Sequence, residues 1–491
     1  MDAILKSPTG RSRPPAVDRD AAELILRRFA GSRGILLLTV PAPEAEPAAL
    51  LAAGGDDAFA YLPPAGPSFA GLGTVATLAA RGEDRFAAVA AQTARISAAC
   101  EPIGAGCAPL GPHFFGGLAF APGAADAYPW AGFGDASFVL PRWLYRRSGE
   151  SGATLSLALR GEELSEPGER RLWLARLAAL ASSLGRPLSP AAAGAVRPLA
   201  APAAETLRRL RKIGALLAAG RARKLVTALR LVAELERPDP LGAFRRLAAA
   251  AAGSDATPFF FRRGGAVFLG ASPELLVSRS GLEVRSEAVA GSWRGGRPLA
   301  ELFASAKIAE EHRLVADAIA AALGGCCPDL VASGRELRRL GELAHLATRF
   351  AGRLAAPRHL FELASLLHPT PAVGGSPPAA AAALLAEIGE PPRGWYAGPV
   401  GYCDGEGGGE LRVALRSALL RGRRAWLHAG AGIVAASSPE DELAEMLAKT
   451  RPMLAALGAK GSAAAVHEPF IAAPQAPPAG RAETPHLCPI A

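Results

Sequence analysis

The stretch Ala425–Lys449, AWLHAGAGIVAASSPEDELAEMLAK, places an apolar run, a glycine-containing turn and a capped helix in direct succession. Residues 425–428 predict a short strand. We expect this strand to break at residues 430–432 (Gly-Ala-Gly), where small residues let backbone amides face a ligand. Ser438 is a typical N-cap residue, and Pro439 suits the first helical position. The stretch therefore predicts a strand, an amide-rich turn and a helix.

The predicted helix carries Glu442, Glu445 and Lys449 at spacings of three and four residues. This spacing places two carboxylates and an ammonium on one face of a helix. Such a face could bind an anionic ligand through a bridging metal ion. It could equally be the solvated face of a surface helix, and the stretch alone leaves both interpretations open.

Composition indicates a globular protein of 491 residues, half of them hydrophobic and 20% charged. No apolar run is long enough to cross a bilayer, and the N-terminus lacks the apolar core of a signal peptide. Six cysteines without metal-ligand spacing favour free thiols, and we expect a cytoplasmic protein. The net charge of +9 comes from scattered arginines without interleaved aromatics, which argues against a nucleic-acid partner.

Lysine is scarce, with only six among the 54 basic residues. Arginine cannot lose its proton in a protein, and its planar fork does not fit a site built for a compact ammonium. Lys6 and Lys460 lie near the chain ends, where chance explains them. Lys224, Lys307 and Lys449 are therefore the lysines for which a functional reason is worth seeking.

Alternating helix and strand signals, with hairpin turns such as Gly264-Gly265, predict an α+β fold of mostly antiparallel sheets flanked by helices. We also expect one long helix over residues 299–323 and one strand over residues 411–420. No glycine-rich nucleotide loop follows a strand. The predicted organisation is a flexible arm (1–20), an N-terminal α/β subdomain (21–203), a catalytic domain (204–460) and a disordered tail (461–491).

Several motifs occur in a characteristic order between residues 205 and 457, among them LVTALR, FLGASPELLVSR, SEAVAGSWRGG, HLATRFAGRL, RGWYAGPVGY and HAGAGIV. Together they resemble the chorismate-utilising enzymes, and several also resemble the menaquinone-pathway isochorismate synthases. The N-terminal HFFGGLAFAPG shares this resemblance. It implies large antiparallel sheets packed as a sandwich, chorismate as the substrate and Mg²⁺ as the cofactor.

The resemblance implies conversion of chorismate to isochorismate by water addition at C2 with loss of the C4 hydroxyl. Lys224 matches the general base, since a buried amine can lose its proton near neutral pH. Glu274 matches the general acid, which must be kept neutral by its surroundings. Glu311 and Glu445 match the Mg²⁺ ligands, with Glu442 binding through water.

The same residue-by-residue match implies a set of substrate-binding residues. Tyr396 and Arg416 match those that hold the side-chain carboxylate, because the arginine fork is bidentate. Ala347 favours isochorismate formation, because the salicylate-forming relatives have Gly and the aminating ones typically Thr. We expect Ala290 and Gly291 to form a loop that approaches the substrate closely. The full set is Ala290, Gly291, His345, Ala347, Tyr396, Arg416, Gly430, Ala431, Gly432 and Lys449.

Three other functions stay open at this point. The chain could make salicylate, which adds elimination of pyruvate, or supply isochorismate to a siderophore pathway. It could also be an inactive family member that acts as a binding partner. The resemblance implies neither a glutamine amidotransferase subunit nor a membrane association, and we expect a monomer. Two positions depart from the family pattern, namely Leu229-Arg230, where Arg is expected one residue earlier, and Ile308, where Asp is usual.

Overall fold

The structure is a computed structural model of the chain. The predicted tail (461–491) and most of the predicted arm (1–20) lie outside the described residues, as does much of the Pro-rich segment around residue 195. Within the described ranges, five cysteines are free thiols, and no helix is both long and apolar enough to cross a membrane. The described residues are 18–149, 152–189, 191, 195–198, 203–294, 299–340 and 343–459.

Eleven α-helices and one short 3-10 helix (Gly161–Leu164) occur in the described ranges. The helices are α1 (Arg19–Phe29), α2 (Ala48–Leu51), α3 (Arg85–Ser97), α4 (Pro167–Leu184), α5 (Ala203–Ala218), α6 (Pro240–Ala251), α7 (Leu299–Ala304), α8 (Ala306–Gly324), α9 (Leu360–Leu367), α10 (Pro378–Glu387) and α11 (Pro439–Leu457).

The strands pair antiparallel, apart from a parallel pair between β1 and β4. They are β1 (Ile35–Ala42), β2 (Ala58–Tyr61), β3 (Ser68–Ala80), β4 (Cys100–Gly104), β5 (His113–Leu118), β6 (Ala136–Ser148), β7 (Gly152–Arg160), β8 (Val196–Pro198), β9 (Lys224–Leu235), β10 (Thr257–Arg263), β11 (Ala266–Ser272), β12 (Leu275–Ser280), β13 (Glu283–Arg294), β14 (Val331–Ala332), β15 (Glu336–Leu340), β16 (Leu343–Arg353), β17 (Gly375–Ser376), β18 (Pro399–Asp404), β19 (Gly409–Val413), β20 (Ser417–Arg421) and β21 (Arg424–Ile433).

One hydrogen-bonded path runs β8–β9–β21–β20–β11–β10–β2–β3–β6. At β6 the sheet divides, because β5 and β7 bond to different parts of its second edge. From β5 a second branch continues β18–β19–β12–β13–β16. The α+β class and the antiparallel sheets predicted from the sequence are confirmed.

The two branches pack face to face over an aromatic core. On β10, Phe259 and Phe261 face this inner core, whereas Phe260 faces the outer layer, as the two-residue period of a strand requires. Trp395 is fully buried and lies just before β18, a strand of the second branch. Its ring centroid lies 6.4 Å from that of Phe268 on β11, in the first path of strands. The interdigitated rings therefore hold the sandwich together.

Helices cover the outer faces of the sheet. A second core joins α1, α2, α4 and α6 to β1, β7 and the outer faces of β2 and β10. A third core packs α5, α10 and α11 on β9 and β21, and it includes Leu210 and Ile213 of α5 together with Leu225 and Leu229 of β9. The departure from the family pattern at Leu229 is thus part of an apolar helix–sheet contact.

Four local predictions were wrong. The strand predicted over residues 425–428 does not break at residue 430. It is part of β21, which begins at Arg424 and runs on to Ile433 while paired with β9. The helix expected over 299–323 is two helices, since Ser305 caps a new N-terminus. Two strands replace the single strand at 411–420, and Arg416 between them has a left-handed φ of 51°. Gly291 lies at a bulge within β13 and not in a loop.

The sheet crosses the proposed boundary between the subdomains. Strand β2 pairs with β10, and β5 pairs with β18, so residues from both sides of residue 203 share one ladder system. The division into two subdomains stays a proposal. What matters for function is where the chain on either side of residue 203 places the residues of the site.

Candidate active site

Strands β9 and β21 form the floor of the site. Lys224 opens β9, and the antiparallel register places Gly432 opposite Val226. A side chain at Gly432 would meet Glu311 Oε1 at 2.5 Å and Lys224 Cε at 2.7 Å. Glycine is therefore required here, because any Cβ would fill the space in which these two groups lie.

Lys224 is completely buried, and its Nζ lies 3.1 Å from Oε1 of Glu311 on α8. No hydrogen bond within the described chain satisfies that ammonium, so the contact with Glu311 is an ion pair of imperfect geometry. A buried amine with unused hydrogen-bonding capacity can bind a ligand in the adjoining space or take a proton from it.

Glu274 lies between β11 and β12 and is 2% exposed. Its Oε1 is buried and has no partner among the described residues. Burial and the nearby Glu287 raise its pKa to about 8, against opposing effects of Lys224 and Arg338. The carboxyl therefore keeps its proton at neutral pH and can serve as a general acid.

Polar side chains close the opposite side of the site. Arg416 Nη2 lies 3.4 Å from His345 Nε2, and the second ring nitrogen of that histidine is 3.4 Å from Ser292 Oγ. Burial lowers the pKa of His345 to about 3, and the positive charge of Arg416 is the next largest cause of this shift. The imidazole is thus neutral at physiological pH. The Tyr396 hydroxyl lies 3.1 Å from the position of a Cβ at Gly430.

Two further lysines pair with the acids of α11. Lys449 Nζ lies 2.7 Å from Glu445 and donates to the Gly430 carbonyl at 2.8 Å. Burial opposes ionisation of Glu445, but Lys449 and a hydrogen bond from Ser292 lower its pKa to about 2. Glu445 therefore stays ionised across the physiological range, and the bonds of Lys449 to Glu445 and to the Gly430 carbonyl join α11 to β21.

Lys307 Nζ lies 2.7 Å from Glu442 Oε1. Burial and the neighbouring Glu445 raise the pKa of Glu442, and Lys307 counteracts this shift. The Lys307 ammonium also feels the charges of Glu311 and Glu445, so it stands among all three carboxylates. Lys307 thus pairs directly with one of these acids and acts electrostatically on the other two.

The residues fit a hard cation in their chemistry. Three carboxylates from two helices provide the oxygen ligands that Mg²⁺ prefers, and a cationic ammonium already stands among them. In the conformation described, however, no three acidic, histidine or cysteine side chains of the described ranges converge closely enough to hold one ion. Binding would require these carboxylates to exchange their lysine partners for the metal.

Most of the predicted site residues meet at one cavity. Four others lie around it: Ala347 is buried opposite Val289, Ala431 packs beneath α11, and Glu442 and Glu445 hold their lysines. The predicted residues that line the cavity are Lys224, Glu274, Ala290, Gly291, Glu311, His345, Tyr396, Arg416, Gly430, Gly432 and Lys449.

A buried ion pair that the sequence did not indicate, Glu390–Arg393, lies at the back of this cavity. The Arg393 guanidinium donates to the carbonyls of Val373 at 2.7 Å and Val226 at 2.6 Å. Glu390 accepts from the Ala228 amide at 2.8 Å. The pair thus bonds one edge of β9 where no strand lies beside it in the described chain. Glu390 and Arg393 flank two prolines in the sequence, and this pattern does not indicate a structural role for them.

Comparison with known proteins connects this geometry to a family. The family described as "Chorismate binding enzyme" matches residues 23–458. The chain belongs to this family of chorismate-binding enzymes. The match covers nearly the whole fold, including the sandwich, the cavity and the strand that carries Gly-Ala-Gly.

Two relatives among the chorismate-binding enzymes illustrate the range of similarity. The salicylate biosynthesis isochorismate synthase of Pseudomonas aeruginosa is 36% identical over 410 residues, which cover 80% of this chain and 83% of that protein. The isochorismate synthase DhbC of Bacillus subtilis is 47% identical over 199 residues, covering 39% of this chain and 50% of that protein.

A solved structure supports the fold. The menaquinone-specific isochorismate synthase MenF of Escherichia coli superposes with a TM-score of 0.70, covering 89% of this chain and 99% of that one at 24% identity. Similarity at this identity concerns the architecture alone. It agrees with the antiparallel α+β sandwich described above.

The raised pKa of Glu274 predicts a pH-dependent effect of Glu274→Gln on stability. Because the folded state holds this proton up to about pH 8 and the unfolded chain releases it near 4.5, the contribution of Glu274 to wild-type stability falls as the pH rises between these values. Glutamine removes this loss. Urea unfolding at pH 5, 7 and 9 should show the variant gaining stability relative to wild type as the pH rises.

Glu440→Gln is the matched control, because Glu440 is exposed on α11 and pairs with Arg211 at the surface. Its stability relative to wild type should stay nearly constant from pH 5 to pH 9. An equally constant difference for Glu274→Gln would contradict the burial of a neutral carboxyl.

Proposed function

We propose that this chorismate-binding enzyme is an isochorismate synthase. The observation that carries the proposal is the pairing, in one cavity, of a buried amine at Lys224 with a buried carboxyl at Glu274 that keeps its proton up to about pH 8. A reaction that adds water at one carbon and expels hydroxide from another requires a base and an acid at the same time.

In the proposed reaction, the Lys224 amine accepts a proton from water as that water attacks C2 of chorismate. The ring double bonds shift, the bond between C4 and its hydroxyl oxygen breaks, and Glu274 protonates the departing oxygen. One water enters and one leaves, so substrate and product are isomers. Proton exchange with solvent then restores Lys224 and Glu274 to their starting states.

Binding of the substrate would use the remaining residues of the cavity. Arg416 and Tyr396 would hold the side-chain carboxylate, and the neutral His345 would lie near the path of the water. The ladder between β20 and β21 ends at the Ser417–His428 pair, so beyond it this edge of β21 can turn backbone amides toward a carboxylate. Lys449, bonded to the Gly430 carbonyl, would add positive charge there.

Glu311 and Glu445 would hold Mg²⁺, with Glu442 contributing through water. When bound, the ion would supply positive charge for the ring carboxylate of chorismate. The chain's own contribution is the placement of these acids on α8 and α11, where all three act electrostatically on the Lys307 ammonium.

The destination of the product is a finer proposal. We favour menaquinone synthesis on the sequence motifs, as a monomer in the cytoplasm without an amidotransferase subunit. The second candidate is supply of isochorismate for salicylate, because the Pseudomonas aeruginosa relative carries that role in its name. Size-exclusion chromatography tests the monomer, and the products formed from chorismate distinguish an isochorismate synthase from a salicylate synthase.

Purified protein incubated with chorismate and Mg²⁺ should yield isochorismate, identified by chromatography and mass spectrometry. Salicylate and pyruvate as main products would replace the proposal with salicylate synthase. If chorismate binds but is not converted at any pH between 6 and 9, the chain is the inactive family member considered above.

Lys224→Arg should lower kcat by at least about a thousandfold, because arginine cannot act as a base near neutral pH. The measurement is steady-state formation of isochorismate, with circular dichroism to confirm folding. Lys212→Arg is the control, since Lys212 is a surface residue that bonds the Glu387 carbonyl. Near-normal turnover by a folded Lys224→Arg protein would remove Lys224 as the base.

Glu445→Gln should weaken Mg²⁺ binding by at least about tenfold, since a neutral amide replaces a carboxylate ligand. Isothermal titration calorimetry of the metal, with and without chorismate, measures this directly. Glu440→Gln, on the exposed side of the same helix, should titrate like wild type. Identical Mg²⁺ titrations for both variants would refute the assignment of Glu445.

A further inference from the structure

Three residues that line the cavity share an unusual property. Lys224, Glu274 and His428 each carry side-chain nitrogen or oxygen atoms that are buried and lack a hydrogen-bond partner among the described residues. Unpaired buried polar groups are rare in folded proteins, and each one calls for an explanation. The proposed reaction explains the first two, whereas the third has no role in it.

His428 lies on β21, where its side chain shares a face with Gly430 and Gly432. It is 4% exposed, and its ring stacks on Tyr396 with centroids 5.0 Å apart and an interplanar angle of 19°. Neither ring nitrogen has a partner in the described chain. The stacking fixes the plane of the imidazole but leaves both nitrogens available.

The surroundings of the ring decide its charge. Burial first, and then the cations Arg230 and Arg393, lower the pKa of His428 to about 3. The imidazole is therefore neutral at physiological pH, with one nitrogen donating and the other accepting. His428 pairs with Ser417 in the ladder, and Arg416 directly precedes Ser417 in the chain. A bound anion at this place could therefore accept a hydrogen bond from the His428 ring and also lie near the Arg416 guanidinium.

An unpaired buried imidazole costs stability. A buried polar group without a partner destabilises the folded state, and phenylalanine could keep the stacking on Tyr396 without this cost. A protein site can retain such a group when a ligand completes its hydrogen bonds. The position of His428 therefore points to a ligand contact and not to a packing role.

Distance along the strand restricts which part of a ligand His428 can reach. Gly432, where Lys224 and Glu311 meet, lies four positions further along the strand, and a strand rises about 3.3 Å per residue. The two positions are thus roughly 13 Å apart, too far for one group to contact both. His428 belongs to the end of the cavity that carries Tyr396 and Arg416.

We propose that His428 is a substrate-binding residue whose neutral ring donates a hydrogen bond to the carboxylate of the substrate's enolpyruvyl side chain. This inference rests on the proposed function, because that function supplies a substrate with such a side chain. Tyr396 then positions the ring by stacking, and Arg416 pairs with the same carboxylate. His428 contributes affinity and selection for the side chain, and it takes no part in proton transfer.

The test compares two unreactive probes on His428→Phe by isothermal titration calorimetry. One probe, 3-(1-carboxyvinyloxy)benzoate, carries a ring carboxylate and an enolpyruvyl group, and the other, benzoate, lacks the side chain. The variant should bind the first probe at least about tenfold more weakly, since a hydrogen bond to a charged group is lost, and benzoate unchanged. His428→Gln, which keeps a donor, should recover part of the loss.

Thermal unfolding separates binding from folding. His428→Phe should be as stable as wild type or more stable, since an unpaired polar ring is replaced. His113→Phe is the matched control, because His113 lies in the Phe69–Phe115–Tyr402 cluster and does not line the cavity. It should bind both probes like wild type.

Two results would overturn the inference: unchanged affinity of His428→Phe for both probes, or an equal loss for both. Should the phenylalanine variant fail to fold, His428→Leu takes its place, and full affinity of that folded protein for the first probe would overturn the inference as well. Wild-type product formation is measured separately, so an inactive wild type that still distinguishes the probes contradicts the proposed function alone.

Discussion

The pairing of β9 with β21 is the constraint on which the site depends. Ten consecutive register pairs, from Arg424–Glu234 to Ile433–Leu225, hold the two strands without an interruption. This ladder brings Lys224 beside Gly432, whose missing side chain leaves room for the Lys224–Glu311 contact. A shift of one residue would turn every side chain of β21 to the other face and place Ala431 in the cavity.

Along part of the edge of β9 opposite β21, side chains and not a strand bond the backbone. Beyond the short pairing with β17, a guanidinium and a carboxylate take the positions that a neighbouring strand would fill. Arg393 also bonds the Val373 carbonyl, so it joins two walls of the cavity. Removing either partner of such a buried pair leaves an uncompensated charge, which makes the arrangement rigid but intolerant of change.

The sequence was sufficient for features set by local patterns and by motifs. Hairpin glycines, the Ser438 cap and the scarcity of lysine led to the α+β sheets and to Lys224, whereas the chemistry of the individual site residues stays a prediction. Long-range pairing was less accessible. Glycines at 430 and 432 indicate a break, yet the ladder with β9 overrides their low strand propensity. His428 and Arg393 were missed because their surroundings come from segments distant in sequence.

Each carboxylate that surrounds the cavity on α8 and α11 has a lysine partner: Glu311 with Lys224, Glu442 with Lys307 and Glu445 with Lys449. Counted as ionised pairs, these three contacts therefore leave little net charge around the acids before anything enters the pocket. A divalent cation alone would leave excess positive charge, and a dicarboxylate alone would leave excess negative charge. Entering together they cancel, so each is expected to strengthen the other's affinity by the same factor, as thermodynamic linkage requires.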